Sequence, residues 1–162
     1  MKQTNDVKSG TVSSAVTTPM VKSRQARNNN WLNLRRVKGQ WWKGQIETPV
    51  GGEKTFCVFS APEWGYRAAF KTLDTYWHKH NCRTLGQIIA RWAPPTENNV
   101  EAYTSAIEGL TFIGRNELLA PPSINQRYLK IVEAMCRVES GQAAVPEDVR
   151  HGYDLYISSL YE

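Results

Sequence analysis

A chain of 162 residues with 41% hydrophobic content is long and apolar enough to bury a core of its own, which excludes a miniprotein that depends on staples. No apolar run approaches the ~18 residues of a membrane span, and the start lacks the apolar stretch of about 7 to 15 residues that marks a secretory signal, so the expectation is synthesis in the cytoplasm without a signal peptide. The net charge of +5 is uneven: residues 27 to 43 hold five bases and no acid, whereas 44 to 162 hold 11 bases and 14 acids, which speaks against the distributed basic face of a nucleic-acid binder.

Residues 1 to 26 contain no Phe, Trp or Tyr and read as a flexible tail, with a transient tether as the functional option. The composition changes at Arg27, where one domain, 27 to 162, is expected to begin. Gln40 to Glu47 and Lys54 to Phe59 flank the turn signal Pro49-Val50-Gly51-Gly52, and the alternation of Phe56 and Val58 with Thr55 and Cys57 predicts a small β-hairpin. Helical periodicity then takes over. Ser60-Ala61-Pro62-Glu63 has capping-box spacing before a stripe of Tyr66, Ala69, Phe70, Leu73, Tyr76 and Trp77, on which His80 reads as a core histidine. Thr84 opens a second helix through Leu85, Ile88, Ile89 and Trp92, ended by Pro94-Pro95. Val100, Tyr103, Ile107 and Leu110 make a third, with Asn98 and Asn99 as cap candidates. A fourth runs from a cap at Ser123-Ile124-Asn125-Gln126 to Glu139, with Gly141 as its C-terminal cap, and Pro146 opens a fifth. The fold class is therefore α+β, mainly helical with one hairpin.

The fourth helix carries an anomaly. At 100° per residue, Glu139 falls within about 40° of each of Tyr128, Val132 and Met135, which puts a carboxylate on an apolar stripe. Lost hydration and the negative end of the helix dipole both disfavour ionisation, so a raised pKa is expected, as a general acid requires. The alternative is a frayed helix end with Glu139 pointing outward. The three cysteines, Cys57, Cys82 and Cys136, have neither Cys-x-x-Cys nor Cys/His ligand spacing and read as buried thiols; no metal and no cofactor is expected.

The string Arg137-Val138-Glu139-Ser140-Gly141 resembles the helix-end motif of lytic transglycosylases and related lysozyme-fold enzymes, in which the Glu is the catalytic acid. Asn33-Leu34, Trp42-Lys43-Gly44-Gln45 and Phe59 to Ala68 resemble the stretch that follows the catalytic Glu in flagellar-type peptidoglycan glucosaminidases. Here the Glu comes last, and the resemblance implies a circularly permuted lysozyme-like domain. Arg27-Asn28-Asn29-Asn30, Gly65 to Ala68, Arg91 to Asn99 with Tyr103, and Val138 to Gln142 together resemble a family of phage and prophage proteins usually labelled virion or structural. Members commonly read Arg-Asn-Asn-Asn-Pro-Gly-Asn-Ile near the start and His-Glu-Asn-Gly near the end. This chain departs from that pattern with Trp31-Leu32 in place of Pro-Gly, and with Val138 and Ser140 in place of His and Asn, while keeping the Glu.

These resemblances and the residue chemistry give Glu139 as catalytic acid, Glu47 or Glu53 on the hairpin as a possible second acid, and Asn30, Asn33, Trp42, Tyr66, Asn98 and Tyr103 as substrate contacts. Amides beside aromatic faces suit sugar rings and N-acetyl groups, although an Asn run also supplies turns and Trp residues also pack. The expected function is cleavage of peptidoglycan glycan strands, by a single-Glu transglycosylase reaction or, with a second acid, by hydrolysis. The alternative is a non-catalytic virion component that uses the fold as an interaction module. Nucleic-acid binding through residues 22 to 43, where bases, five of them within 27 to 43, interleave with three Trp, is the third reading, with single-stranded DNA as its test. Partners are then glycan strands and, for delivery, virion or secretion-machine components, with action at the bacterial cell wall or in the virion.

Overall fold

The computed structural model describes residues 22–48, 50–93 and 99–162. They form α1 (Arg24–Asn28), α2 (Pro62–His80), α3 (Leu85–Trp92), α4 (Val100–Thr111), a 3-10 turn (Pro122–Ile124), α5 (Arg127–Ser140) and α6 (Pro146–Ser159). The chain is mainly helical. Four of these helices begin close to where periodicity and capping place them. Thr84 Oγ1 accepts the Gln87 amide at 3.2 Å, and Asn99 Oδ1 accepts that of Ala102 at 3.0 Å. Proline stands in the first turn of α2 and of α6, where an amide hydrogen has no helical partner to lose.

Some expected caps are corrected. Ala61, not Ser60, is the N-cap of α2, which has no side-chain cap, and the Ser60 amide meets the Gly44 carbonyl at 2.9 Å. Ser123 and Ile124 fall in the 3-10 turn before α5; Gln126 is the N-cap of α5 without a side-chain bond, and Asn125 Oδ1 takes the Arg127 amide at 3.1 Å. His80 is exposed at the end of α2, against Arg91, and is not a core residue.

The core is centred on α5, whose Tyr128, Ile131, Val132, Met135 and Cys136 are fully buried. Around it lie Leu85, Ile88 and Ile89 of α3, Tyr103 and Ile107 of α4, Phe70 and Leu73 of α2, and Val149, Tyr153 and Tyr156 of α6. Helices α2 and α6 pack along much of their length, and Gly152 permits it: a Cβ there would lie 2.4 Å from Tyr66 Cβ. Phe70 fills the seam edge-on to Tyr153 at 5.1 Å and stacked on Tyr156 at 6.0 Å. All three cysteines are free and buried.

Of the hairpin expected between 40–47 and 54–59, the described residues form one isolated antiparallel bridge, Gln45 with Phe59; a second isolated bridge, Arg35 with Phe56, pairs the later segment with residues before the expected first strand. The reason is local. Both Thr55 and Phe56 give their amides to the Glu53 carboxylate, at 3.0 and 3.2 Å, so a ladder cannot run on through the turn. Thr55 to Cys57 pair instead with residues 34–36, through Arg36 N to Thr55 O and Cys57 N to Leu34 O. A second, small apolar cluster of Cys57, Phe59 and Ala68, flanked by Leu34, Trp42 and Trp64, supports this lobe. The tail expected over residues 1 to 26 lies outside the described residues as far as residue 21, and the boundary expected at Arg27 falls within α1. Among the described residues no helix is long and apolar enough to cross a membrane.

Candidate active site

The stripe of α5 ends on Glu139, one residue before the helix stops and two before Gly141, whose left-handed backbone (φ 75°) caps it. Three of its four members are core; the fourth emerges into a groove of about 840 Å³. One wall of the groove is the irregular segment from Leu32 to Trp42 with Phe56. The other is Thr72, Thr75 and Tyr76 of α2 with Arg91, Trp92 and Ala93 at the end of α3. Glu139 is the one acidic residue that lines it among the described residues.

The carboxylate is half-buried and held. Trp92 Nε1 donates to Glu139 Oε2 at 3.3 Å and Tyr103 Oη donates to the same oxygen at 3.0 Å. Burial lifts the Glu139 carboxyl above its ordinary range, and hydrogen bonds from Tyr103, Trp92 and Asn33, which favour the anion, offset only part of that. Burial, and then the neighbouring Glu139 charge, also push the Tyr103 phenol up, so Tyr103 stays a donor at any working pH. The main-chain carbonyl of Glu139 accepts from Gln25 Nε2 at 2.9 Å.

Of the expected substrate contacts, Asn33 and Trp42 line the groove. Tyr103 belongs to the site but stands behind the acid and not on the groove wall. Asn30 is taken out of it: at 1% exposure, its amide donates to the Leu34 and Cys57 carbonyls at 3.0 and 2.9 Å and accepts from the Leu34 amide. Tyr66 is likewise a core residue, 2% exposed, with its hydroxyl on Cys136 Sγ at 3.6 Å. Asn98 lies outside the described residues.

Neither hairpin acid meets Glu139 across the groove. Glu47 is exposed and absent from the lining. Burial works to raise the Glu53 carboxyl, but hydrogen bonds from Asn28, Thr55 and Phe56 outweigh it and hold the group below the ordinary range. Its oxygens are committed to shaping the turn.

Trp92, Tyr76 and Gln25 belong to the site's surroundings without having been expected there. Trp92 reads as one more core position on its stripe. The signal was its indole N–H, which needs an acceptor once partly buried.

No family model matches the chain. Over 135 residues, 82% of this chain and 81% of the relative, it is 33% identical to Protein P5 of Pseudoalteromonas phage PM2. With that identity sustained over four fifths of both proteins, the chain belongs to the same phage protein family as Protein P5.

Proposed function

We propose that this protein cleaves the β-1,4 glycan strand of peptidoglycan, with Glu139 as the proton donor to the leaving oxygen. The observation that carries the reading is a half-buried carboxyl of raised pKa, alone among acids in a groove that also presents an amide and indole and phenol rings. Aromatic faces and an amide match the C–H faces and N-acetyl groups of the sugar.

With Oε2 already accepting two hydrogen bonds, the exchangeable proton belongs on Oε1. Its transfer to the glycosidic oxygen breaks the C1–O bond and leaves positive charge on C1 and the ring oxygen. Glu139, now a carboxylate, takes the proton of the muramic 6-hydroxyl as that oxygen bonds to C1. The acid is thereby regenerated, no water is consumed and the product ends in a 1,6-anhydro ring. Hydrolysis with a second carboxylate needs a partner about 5 to 9.5 Å away across the bond. Neither Glu47 nor Glu53 lines the groove, which favours the single-acid route.

In this reading the domain is a circularly permuted member of the lysozyme-like enzymes, and kinship with a phage protein fits a wall-opening role carried by, or released with, a virus particle. The same kinship also fits a non-catalytic virion component, and one experiment separates the two. Purified peptidoglycan is incubated with the wild type and with Glu139→Gln, and the released muropeptides are weighed by mass spectrometry. Ends lighter by one water from the wild type and none from the variant are the expected result. Equal release by both removes Glu139 from the chemistry, and an inert wild type that co-purifies with particles leaves the virion role.

A further inference from the structure

The last carbonyls of a helix have no partner inside it, so the final turn frays unless something outside it binds them. In α5 one of these belongs to Glu139 itself, and its partner is the side chain of Gln25, 114 residues away in sequence. We infer that Gln25 is a positioning residue for the acid, and that α1 with the Asn run after it is a strap that sets Glu139 against the far wall of the groove. The inference rests on the catalytic reading of Glu139 given above.

A five-residue helix cannot hold itself in water and must be held by its surroundings. Here they are specific. Ser23 Oγ caps it by accepting the Ala26 amide at 3.2 Å. Asn28 Nδ2 donates to Glu53 at 3.2 Å, Asn29 Nδ2 donates to the Phe59 carbonyl at 2.9 Å, and the Phe59 amide returns a bond to the Asn28 carbonyl at 2.8 Å. The Asn29 carbonyl lies so close to α2 that a Cβ on Gly65 would come within 2.4 Å of it. Asn29 adopts the left-handed conformation (φ 51°), and the chain reverses there into Asn30, whose amide ties it to Leu34 and Cys57.

Eight residues after Gln25 the same strap delivers Asn33, left-handed at φ 53°, to the groove wall, where its side-chain amide favours the Glu139 anion. One segment therefore grips the acid at two points, main chain and side chain. Without the Gln25 donor the Glu139 carbonyl loses its partner and the turn loosens at that residue despite the Gly141 cap, which both misplaces the carboxyl and returns water to it. Less desolvation means a lower pKa, so position and acidity change together.

The test uses the full chain as Gln25→Ala, which removes the donor, and Gln25→Lys, which keeps a donor of similar reach. In Gln25→Ala kcat is expected to fall between about 10- and 100-fold, as for a displacement near 1 Å, with KM little changed. The alkaline limb of its pH profile should move to lower pH. Gln25→Lys should recover most of the acid-plateau kcat, with its alkaline limb also at lower pH because an ammonium now faces the acid. Carboxyl-resolved NMR titration of Glu139 reads the same effect without turnover, and its midpoint should drop in both variants. Wild-type kcat and an unmoved midpoint in Gln25→Ala overturn the inference while leaving the Glu139 reading intact. A fall in kcat that Gln25→Lys does not relieve, with an unmoved midpoint, also overturns it, by reducing Gln25 to a fold contact. Undiminished turnover in Glu139→Gln is instead the failure of the catalytic reading beneath it.

Discussion

At Glu139 two opposed effects meet on one side chain: burial favours the protonated acid, and three donors favour the anion. Removing a donor should therefore make the acid weaker. In Tyr103→Phe the Glu139 pKa climbs further, and the alkaline limb of kcat against pH moves to higher pH, opposite in direction to the Gln25 variants. Stability follows the same balance. Because the folded pKa lies above the unfolded one, the contribution of Glu139 to stability is fully present below the unfolded pKa and is lost as pH rises through the folded value. Glu139→Gln does not titrate, so its melting temperature should exceed that of the wild type at neutral pH. Melting curves across acid pH should show the gap closing as Glu139 takes up its proton. The anomaly of this residue was legible in the sequence, since a period of 3.6 puts it on the stripe of Tyr128, Val132 and Met135. Its partners were not, because Trp92, Tyr103 and Asn33 come from three other segments and no spacing along the chain relates them.

At the level of elements, what was legible is what is local. Capping residues, prolines and apolar periodicity act within a few residues, and they place α2, α3, α4 and α6. Asn99→Ala should accordingly cost about 1 kcal/mol in denaturant melts through loss of the α4 cap. Helix α1 escaped this reading because no apolar stripe marks it; side-chain amides that find a carboxylate and two carbonyls 25 to 114 residues away hold it in place. Pairing of α2 with α6 was equally invisible, although Gly152 is its precondition. Gly152→Ala drives a methyl group into Tyr66 Cβ, the Arg67 nitrogen and the Glu63 carbonyl, and should cost about 1 to 3 kcal/mol by the same measurement. The hairpin expectation overreached for a related reason: alternation signals extended chain but not its partner, and the Glu53 carboxylate took the amides a ladder would have used.

Over the whole molecule the groove is the seam between unequal partners, a large helical core on one side and a lobe resting on three buried residues on the other. Hydrogen exchange should expose that inequality. Amides between residues 28 and 59 should exchange well before those of α5 and α6, and glycan fragments that span the seam should slow the first group selectively.

That lobe also carries a chemical vulnerability. Beside a few main-chain bonds and two isolated bridges among the described residues, its shape depends on the Nδ2 groups of Asn28, Asn29 and Asn30. Deamidation at any of the three would turn a nitrogen that donates into an oxygen that repels the carbonyl or carboxylate opposite. Ageing of the protein in alkaline buffer should then blunt it through the loss of a single mass-shifted amide, while the helical body stays folded.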